Sequence, residues 1–460
     1  MMTEGRIYLL KIFIFFALIA IISLIIYRKK KTAGCLMFAS LSAFLLRLDY
    51  VLYTPHWLRQ HDVIGFGADE GQAAYIEWFL REKRLPDFDP LDKWGFFQPP
   101  LHHILSAVFI GVQTMFGKNY DRACENVQYL TLLYSCLILF FAYLIFKEAG
   151  LEGNSLIMAF VLTAFHPGFI LMAGSINNDC LCELLMVMSL YFALRWYRKS
   201  TLINIIPIAL CVGLSMAAKL SGSLAAVPIA FLFIEKWVSG KKEGFFRYLK
   251  QYLLFAVICV PPALFYPVRN LIKFGTPINY TPEVGAEVSR YSLMSRFFDV
   301  KTSKPFINMI SQGDPFDEFN IPLSIIKTSL FGETNLAADE ARILPFAWAA
   351  LILGTALALI AVFATVSVTV RAVRKKENIT ETLYWFISWL VPVVFLINFS
   401  LSAPYFSSQD FRYIQYVIVI EAMFLGLYSK QGRKRELFIS CLLVLLCLSS
   451  SAVYILLGKP

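Results

Sequence analysis

Charge is scarce in this chain. Only 16% of its 460 residues are Asp, Glu, Lys or Arg, and 58% are hydrophobic. A soluble domain carries roughly 25% charge, so this composition excludes a soluble globule of this size. A disulfide framework is lacking as well. The nine cysteines fall mostly within apolar runs, and only Cys124 is expected to face the outer side,. Cys180 and Cys182 have the wrong spacing for a zinc pair and read as packing residues. No internal repeat is visible, which removes one signature of transporters. No small-residue cleavage site follows the apolar run 7–27, and that run is too long for a signal-peptide core, so it is expected to be a retained first helix.

What the chain does have is a succession of long apolar runs, among them 7–27, 129–146, 345–370 and 437–457. Each is long enough to cross the hydrocarbon core. Backbone groups in lipid must be satisfied within the segment, so these runs are helices. The net charge of +10 is not the footprint of a nucleic-acid binder. Half of the 42 Lys and Arg residues sit in six short gaps between apolar runs. Examples are Arg28-Lys29-Lys30-Lys31, Arg195 with Arg198-Lys199, and Arg371 with Arg374-Lys375-Lys376. This is the positive-inside asymmetry of a multispan protein, with anionic lipid as the partner of the basic side and no nucleic acid.

Taking the basic gaps as cytoplasmic predicts an all-α, polytopic membrane bundle of about twelve transmembrane helices. The expected spans are 7–27, 33–53, 126–146, 155–173, 180–196, 202–218, 220–237, 252–268, 344–370, 382–401, 411–428 and 436–457. Residues 54–125 and about 269–342 then form external loops. The expected division is an extra helix and basic turn over 1–32, a catalytic membrane module over 33–280, a second external loop over 281–342, and C-terminal helices over 343–460. The apolar stretch 100–117 would invert every later gap if it crossed, so it is expected to lie along the interface.

The external loop 54–125 is the informative stretch. It holds Asp69-Glu70, an amphipathic run over 71–84, and Gln98-Pro99-Pro100-Leu101-His102-His103. All five histidines and the acid pair map to the outer side, and Asp179 reaches the same surface at the head of a later span. Glu183 lies one turn below it on the same helical face. Each residue also has a plainer account. Acids at a helix start are favoured by the dipole, and Asn178-Asp179 could be an N-cap. The histidines could be packing residues, and Lys219 and Arg412 could snorkel to the headgroups. Glu421, in the middle of a span, most simply has a structural partner.

The order Ala68-Asp69-Glu70-Gly71, Arg84-Leu85-Pro86, Gln98-Pro99-Pro100-Leu101, Asn177-Asn178-Asp179, Ala218-Lys219-Leu220 and Arg269-Asn270 resembles the GT-C glycosyltransferases over about 33–280. The branch it resembles is that of protein O-mannosyltransferases and lipid A aminoarabinose transferases. Asp410-Phe411-Arg412-Tyr413 resembles an element late in that family. The resemblance implies a polyprenyl-phosphate sugar donor and an active site on the external face of the cell membrane. The acceptor is left open between protein, cell-envelope polymer and glycolipid. Asp69, Glu70 and Asp179 would be catalytic, with Asp69 as general base. Lys219, Arg269 and Arg412 would contact the donor phosphate, and Gln98, His102, His103 and Asn178 would contact substrate. The resemblance fixes no cofactor, and a divalent metal is left open because Gln98 stands where some relatives carry a metal-binding acid. Gln72 stands near the place of an arginine that other relatives carry. A single displacement would invert the anomeric centre. The competing classes are a transporter or lipid flippase, favoured by Glu183 and Glu421, and a glycan polymer ligase of similar architecture.

Overall fold

The computed structural model describes residues 18, 21–28, 30–57, 63–278, 280, 282, 287–307, 317–333, 336 and 340–457. It is 78% helical, and the described residues contain no strand, only one isolated bridge between Glu287 and Tyr405. Eight helices are long and apolar enough to cross a membrane, or ten if each of two bent pairs is one span. This is a multi-pass membrane protein. These are counts among the described residues, which do not confirm the expected twelve. The helix Leu202–Ala218 is short for a crossing, and most of 7–27 lies outside the described residues.

The first bent pair is broken where the sequence breaks it. Gly153–Phe165 turns by 48° into Pro167–Ala173, because Pro167 cannot continue the preceding helix. The carbonyls released by the break find donors. Arg47, fully buried in Lys31–Tyr53, donates to Ala164 O at 2.7 Å and to Ser135 Oγ at 3.0 Å. Ser450 donates to Phe165 O at 3.2 Å. Such satisfaction is obligatory inside lipid. The second break, of 58°, separates Phe406–Ile414 from Val417–Ser429. Glu183 faces the backbone N–H groups of Gln415 and Tyr416 there, a favourable place for a carboxylate at a helix N-terminus.

The helix Asp179–Arg198 defines the long axis. At one end, Arg198 is paired with Glu148 and with Glu381 (2.7 Å), and Arg195 donates to Glu148 at 3.2 Å. The basic gaps after 147, 195 and 376 therefore gather at one end of the bundle, as the charge asymmetry requires. Asp179 and both long loops lie at the other.

The loop between Lys31–Tyr53 and the next span folds on its own small core. Tyr75, Ile76 and Phe79 of the helix Gln72–Glu82 pack with Phe96 and with Ala107 and Ile110 of the helix Leu101–Met115. At 15 residues the latter is too short to cross,, and it exposes Val108, Val112, Met115 and Phe116 along its outer face. The loop is also pinned to the bundle. Tyr75 donates its hydroxyl proton to Tyr266 Oη (3.1 Å), which donates to Phe96 O (2.6 Å). Arg269 donates to Pro86 O and, at 2.8 Å, to Asn270 Oδ1.

Two glycines let the acid pair and the aromatic turn lie back to back. Gly71 (φ 96°) donates its N–H to Trp94 O at 2.8 Å. A Cβ on Gly95 (φ 88°) would stand 3.0 Å from the Gly71 carbonyl carbon. Gly95→Ala is expected to destabilise the loop by about 1–3 kcal/mol, from backbone strain plus the clash. The check is the melting temperature in detergent together with protease nicking over 83–98. An unchanged melt and cleavage pattern would show that the close approach is not required.

Candidate active site

At the end of the bundle that carries Asp179 the two loops enclose a cavity of about 440 Å³. Its polar lining includes Gln72, Gln98, Asn178, Lys219 and Arg412, with the aromatic side chains Trp94, Phe97, Tyr280 and Tyr405. Its apolar lining comes from the spans and includes Met216, Leu220, Leu224, Leu264, Phe395 and Phe399.

Asp179 lies behind the lining residues Asn178 and Lys219 and is 3% exposed. It forms an ion pair with Lys219, whose Nζ also lies 4.6 Å over the Tyr413 ring. Lys219 occupies the joint between Leu202–Ala218 and the 3-10 turn Leu220–Ala225, so the kink in that hairpin aims it inward. Arg412 completes the cluster. Its Nε lies 2.9 Å from Asp410 Oδ2 and 3.8 Å from Asp179 Oδ2, and its Nη2 lies 3.9 Å from Glu333 Oε2. Asp410 also caps its own turn, accepting from Arg412 N at 2.9 Å. Asp179, Glu333 and Asp410 are all buried. Charges this far from water persist only when paired.

Asn178 does not cap the helix that follows. Its side chain donates to Ala218 O at 2.7 Å and to Gln98 Oε1 at 3.4 Å, and the N–H of Asp179 is taken instead by Asn177 Oδ1. Gln98 and Asn178 thus face the cavity side by side. His102 and His103 lie behind its wall, both fully buried. His102 Nε2 donates to Ile176 O at 2.8 Å, and His103 Nε2 donates to Gln72 Oε1 at 2.6 Å. Burial pushes His102 down to about 4 and His103 well below the usual imidazole range. Both stay neutral, and they support Gln72 and the 176–179 turn rather than line the cavity. Arg269 is likewise engaged with Pro86 and is not among the residues lining the cavity.

Asp69 and Glu70 are exposed. Glu70 accepts from Trp94 N at 3.4 Å, which sets the acid pair beside the cavity rim. His61 lies outside the described residues. Glu333 and Asp410 were not singled out as site residues from the sequence. Asp410 had a signal, since it stands two places before Arg412 in a recognised element; Glu333, in the second loop, had none. Among the described residues no three His, Cys, Asp or Glu side chains converge as a cation-ligand set, and the amide of Gln98 is engaged by Asn178. The residues present do not fit a divalent metal.

No protein-family model matches the chain, and no curated protein sequence does. Solved structures do. The archaeal oligosaccharyltransferase AglB from Archaeoglobus fulgidus, in complex with an inhibitory peptide and a dolichol-phosphate, superposes with a TM-score of 0.53 at 12% identity over 94% of this chain. The match covers 56% of that protein, so this chain spans little more than half its length. The same enzyme tethered to an acceptor peptide gives a TM-score of 0.50 at 13% identity, over 93% of this chain and 56% of that one. ArnT from Cupriavidus metallidurans, bound to undecaprenyl phosphate, matches over 85% of this chain and 76% of its own at 15% identity, with a TM-score of 0.39 on which nothing is built. The chain shares its fold with the membrane part of the matched oligosaccharyltransferase structures.

Lys219→Met would leave Asp179 buried with only the longer contact to Arg412. It is expected to cost about 3–5 kcal/mol, and Asp179→Asn in the same chain should restore most of it. Thermal unfolding of the single and double variants tests this. Equal melting of the two would remove the pair from the stability of the site.

Proposed function

We propose that this protein is a membrane glycosyltransferase that moves a sugar from a polyprenyl-phosphate carrier to a polar acceptor at the outer membrane surface. The observation that carries this reading is the mixed lining of the cavity. Lys219 and Arg412 line it together with Leu, Met and Phe side chains of the spans. A lipid-linked phosphate ester has both characters. The GT-C fold and the name of the oligosaccharyltransferase that shares it support the same class.

In the proposed reaction the donor phosphate lies against Lys219 and Arg412, and its isoprenoid lies against the apolar side chains. The acceptor enters past Trp94 and Tyr280. Asp69, at the wet rim, takes the acceptor hydroxyl proton as that oxygen attacks the anomeric carbon. The bond from that carbon to the phosphate oxygen breaks on the opposite face. Polyprenyl phosphate leaves with the electron pair, and the two fixed cations stabilise the charge it gathers. Asp179 holds Lys219 in place and does not itself need to move a proton. One displacement inverts the anomeric centre.

A transporter reading gains little. Glu421 receives Trp389 Nε1–H at 2.9 Å, the structural partner expected of a carboxyl group in mid-membrane. A transferase of preassembled glycans remains the nearest competitor, since the fold neighbour is named for oligosaccharide transfer.

The test is a panel of polyprenyl-phosphate monosaccharides and lipid-linked oligosaccharides, assayed for transfer to sugar or peptide acceptors and for slow donor hydrolysis. Asp69→Asn should lower turnover by about 10²–10⁴-fold while leaving undecaprenyl-phosphate binding unchanged. Anomeric proton coupling in the product should report inversion. Turnover near the parent's in Asp69→Asn would remove the base, and retention would require a second nucleophilic carboxylate.

A further inference from the structure

Outside the cavity, one ion pair is buried more completely than any catalytic function yet assigned would need. Lys327 is 0% exposed and Glu318 2%. The Nζ of Lys327 lies 2.8 and 3.1 Å from the two carboxylate oxygens of Glu318. Lys327 is on the short helix Ile321–Phe331 of the second loop, which starts at Asn320, whose side chain accepts from Leu323 N at 2.9 Å. Glu318 is in the turn just before it. Replacing such a pair by well-packed apolar side chains is often neutral or stabilising, so stability alone does not account for it.

Its neighbours suggest what does. Glu318 O accepts from Gln409 Nε2 at 3.1 Å. Thr328, next to Lys327, accepts the N–H of Phe411 on Oγ1 at 3.0 Å and donates to Ser324 O at 2.8 Å. Gln409 and Phe411 flank Asp410, the residue that caps Arg412 N and pairs with Arg412 Nε. The ion pair therefore closes a clamp on both sides of Asp410. Helix Ile321–Phe331 holds Phe411 through Thr328, the turn holds Gln409 through Glu318, and Lys327–Glu318 locks helix to turn.

We propose that Glu318 and Lys327 are positioning residues that set the orientation of Arg412 through Gln409, Asp410 and Phe411. The inference rests on the reading of Arg412 as a contact to the donor phosphate. An arginine on a short 3-10 turn has many rotamers, and one that must meet a phosphate oxygen gains from a backbone that cannot shift. The second loop thereby belongs to the donor site, although neither residue of the pair lines the cavity.

The experiment uses the full chain in detergent with undecaprenyl phosphate as the probe, its Kd read by quenching of tryptophan fluorescence. The variants are Glu318→Leu with Lys327→Met, Thr328→Val, Arg412→Ala, and the Glu318/Lys327 pair combined with Arg412→Ala. Melting temperature is recorded for each. The apolar pair should melt close to the parent and bind the probe at least tenfold more weakly. Thr328→Val, which removes the acceptor of the Phe411 N–H together with the hydroxyl's bond to Ser324 O on its own helix, should weaken binding about threefold, and it keeps the test open if the apolar pair does not fold. In the Arg412→Ala background the pair should change Kd by less than twofold, because the group it orients is already gone. A parent-like Kd in both the apolar pair and Thr328→Val overturns the proposal. So does an equal loss in the presence and absence of Arg412, which a merely structural role would give. If Arg412→Ala itself binds the probe like the parent, the phosphate reading fails instead, and the two failures are told apart.

Discussion

Two cations and several carboxylates share a buried space at one end of this bundle, and the electrostatics of that space governs the rest of the site. Asp179, Lys219, Asp410, Arg412 and Glu333 come from four separate parts of the chain. None can be withdrawn without leaving an uncompensated charge in a poorly solvated place. Their mutual need fixes the ends of Asp179–Arg198, the kink after Ala218, the turn Phe411–Ile414 and the second loop relative to one another. Hydrophobic packing can assemble the spans, but it is tolerant of small slides. The charge cluster is not, and a phosphate site built on it inherits that rigidity.

The first loop is held by different means. It has an apolar core of its own, glycines that permit a close backbone approach, and three anchors to the bundle at Tyr266, Arg269 and Ile176. The loop therefore behaves as a small folded unit whose inner edge, Gln72 and Gln98, forms one wall of the cavity. His103 is part of that wall's support. A neutral imidazole sealed from water can donate one N–H to a fixed acceptor without risk of becoming charged, which suits a residue that must hold a glutamine steady at every working pH.

Helix positions and the sidedness of charge were readable in the sequence, because apolar length and Lys/Arg bias follow from the bilayer itself. The amphipathic run over 71–84 appears as the helix Gln72–Glu82. Asp179, Lys219, Arg412, Gln98 and Asn178 were readable as candidates, and the structure brings them together at one cavity. The histidine pair shows where reading along the chain stops. His102 and His103 adjoin a cavity-lining segment, but adjacent residues on a helix point in different directions, and here both directions lead into the core. Arg269 was drawn to the phosphate by its charge, whereas a backbone carbonyl at Pro86 holds it. Glu333 and the Glu318–Lys327 pair gave no warning, since a buried ion pair between loop residues has no periodicity and no spacing rule.

Exposure divides the acids into two kinds, and the division bears on mechanism. Asp179 is enclosed and paired with a lysine, so its carboxylate is committed to holding that cation. Asp69 stands at the wet edge, makes no hydrogen bond or ion pair to another described residue, and has water through which to pass on a proton. A general base must lose its proton to solvent after every turnover, and an enclosed, paired carboxylate is badly placed to do so. A group that stabilises a departing phosphate has the opposite requirement, because its field is strongest where water is excluded. An exposed acid beside the cavity and an enclosed pair of cations satisfy both demands at one site. That separation is what a reaction between a carrier confined to lipid and an acceptor confined to water would need.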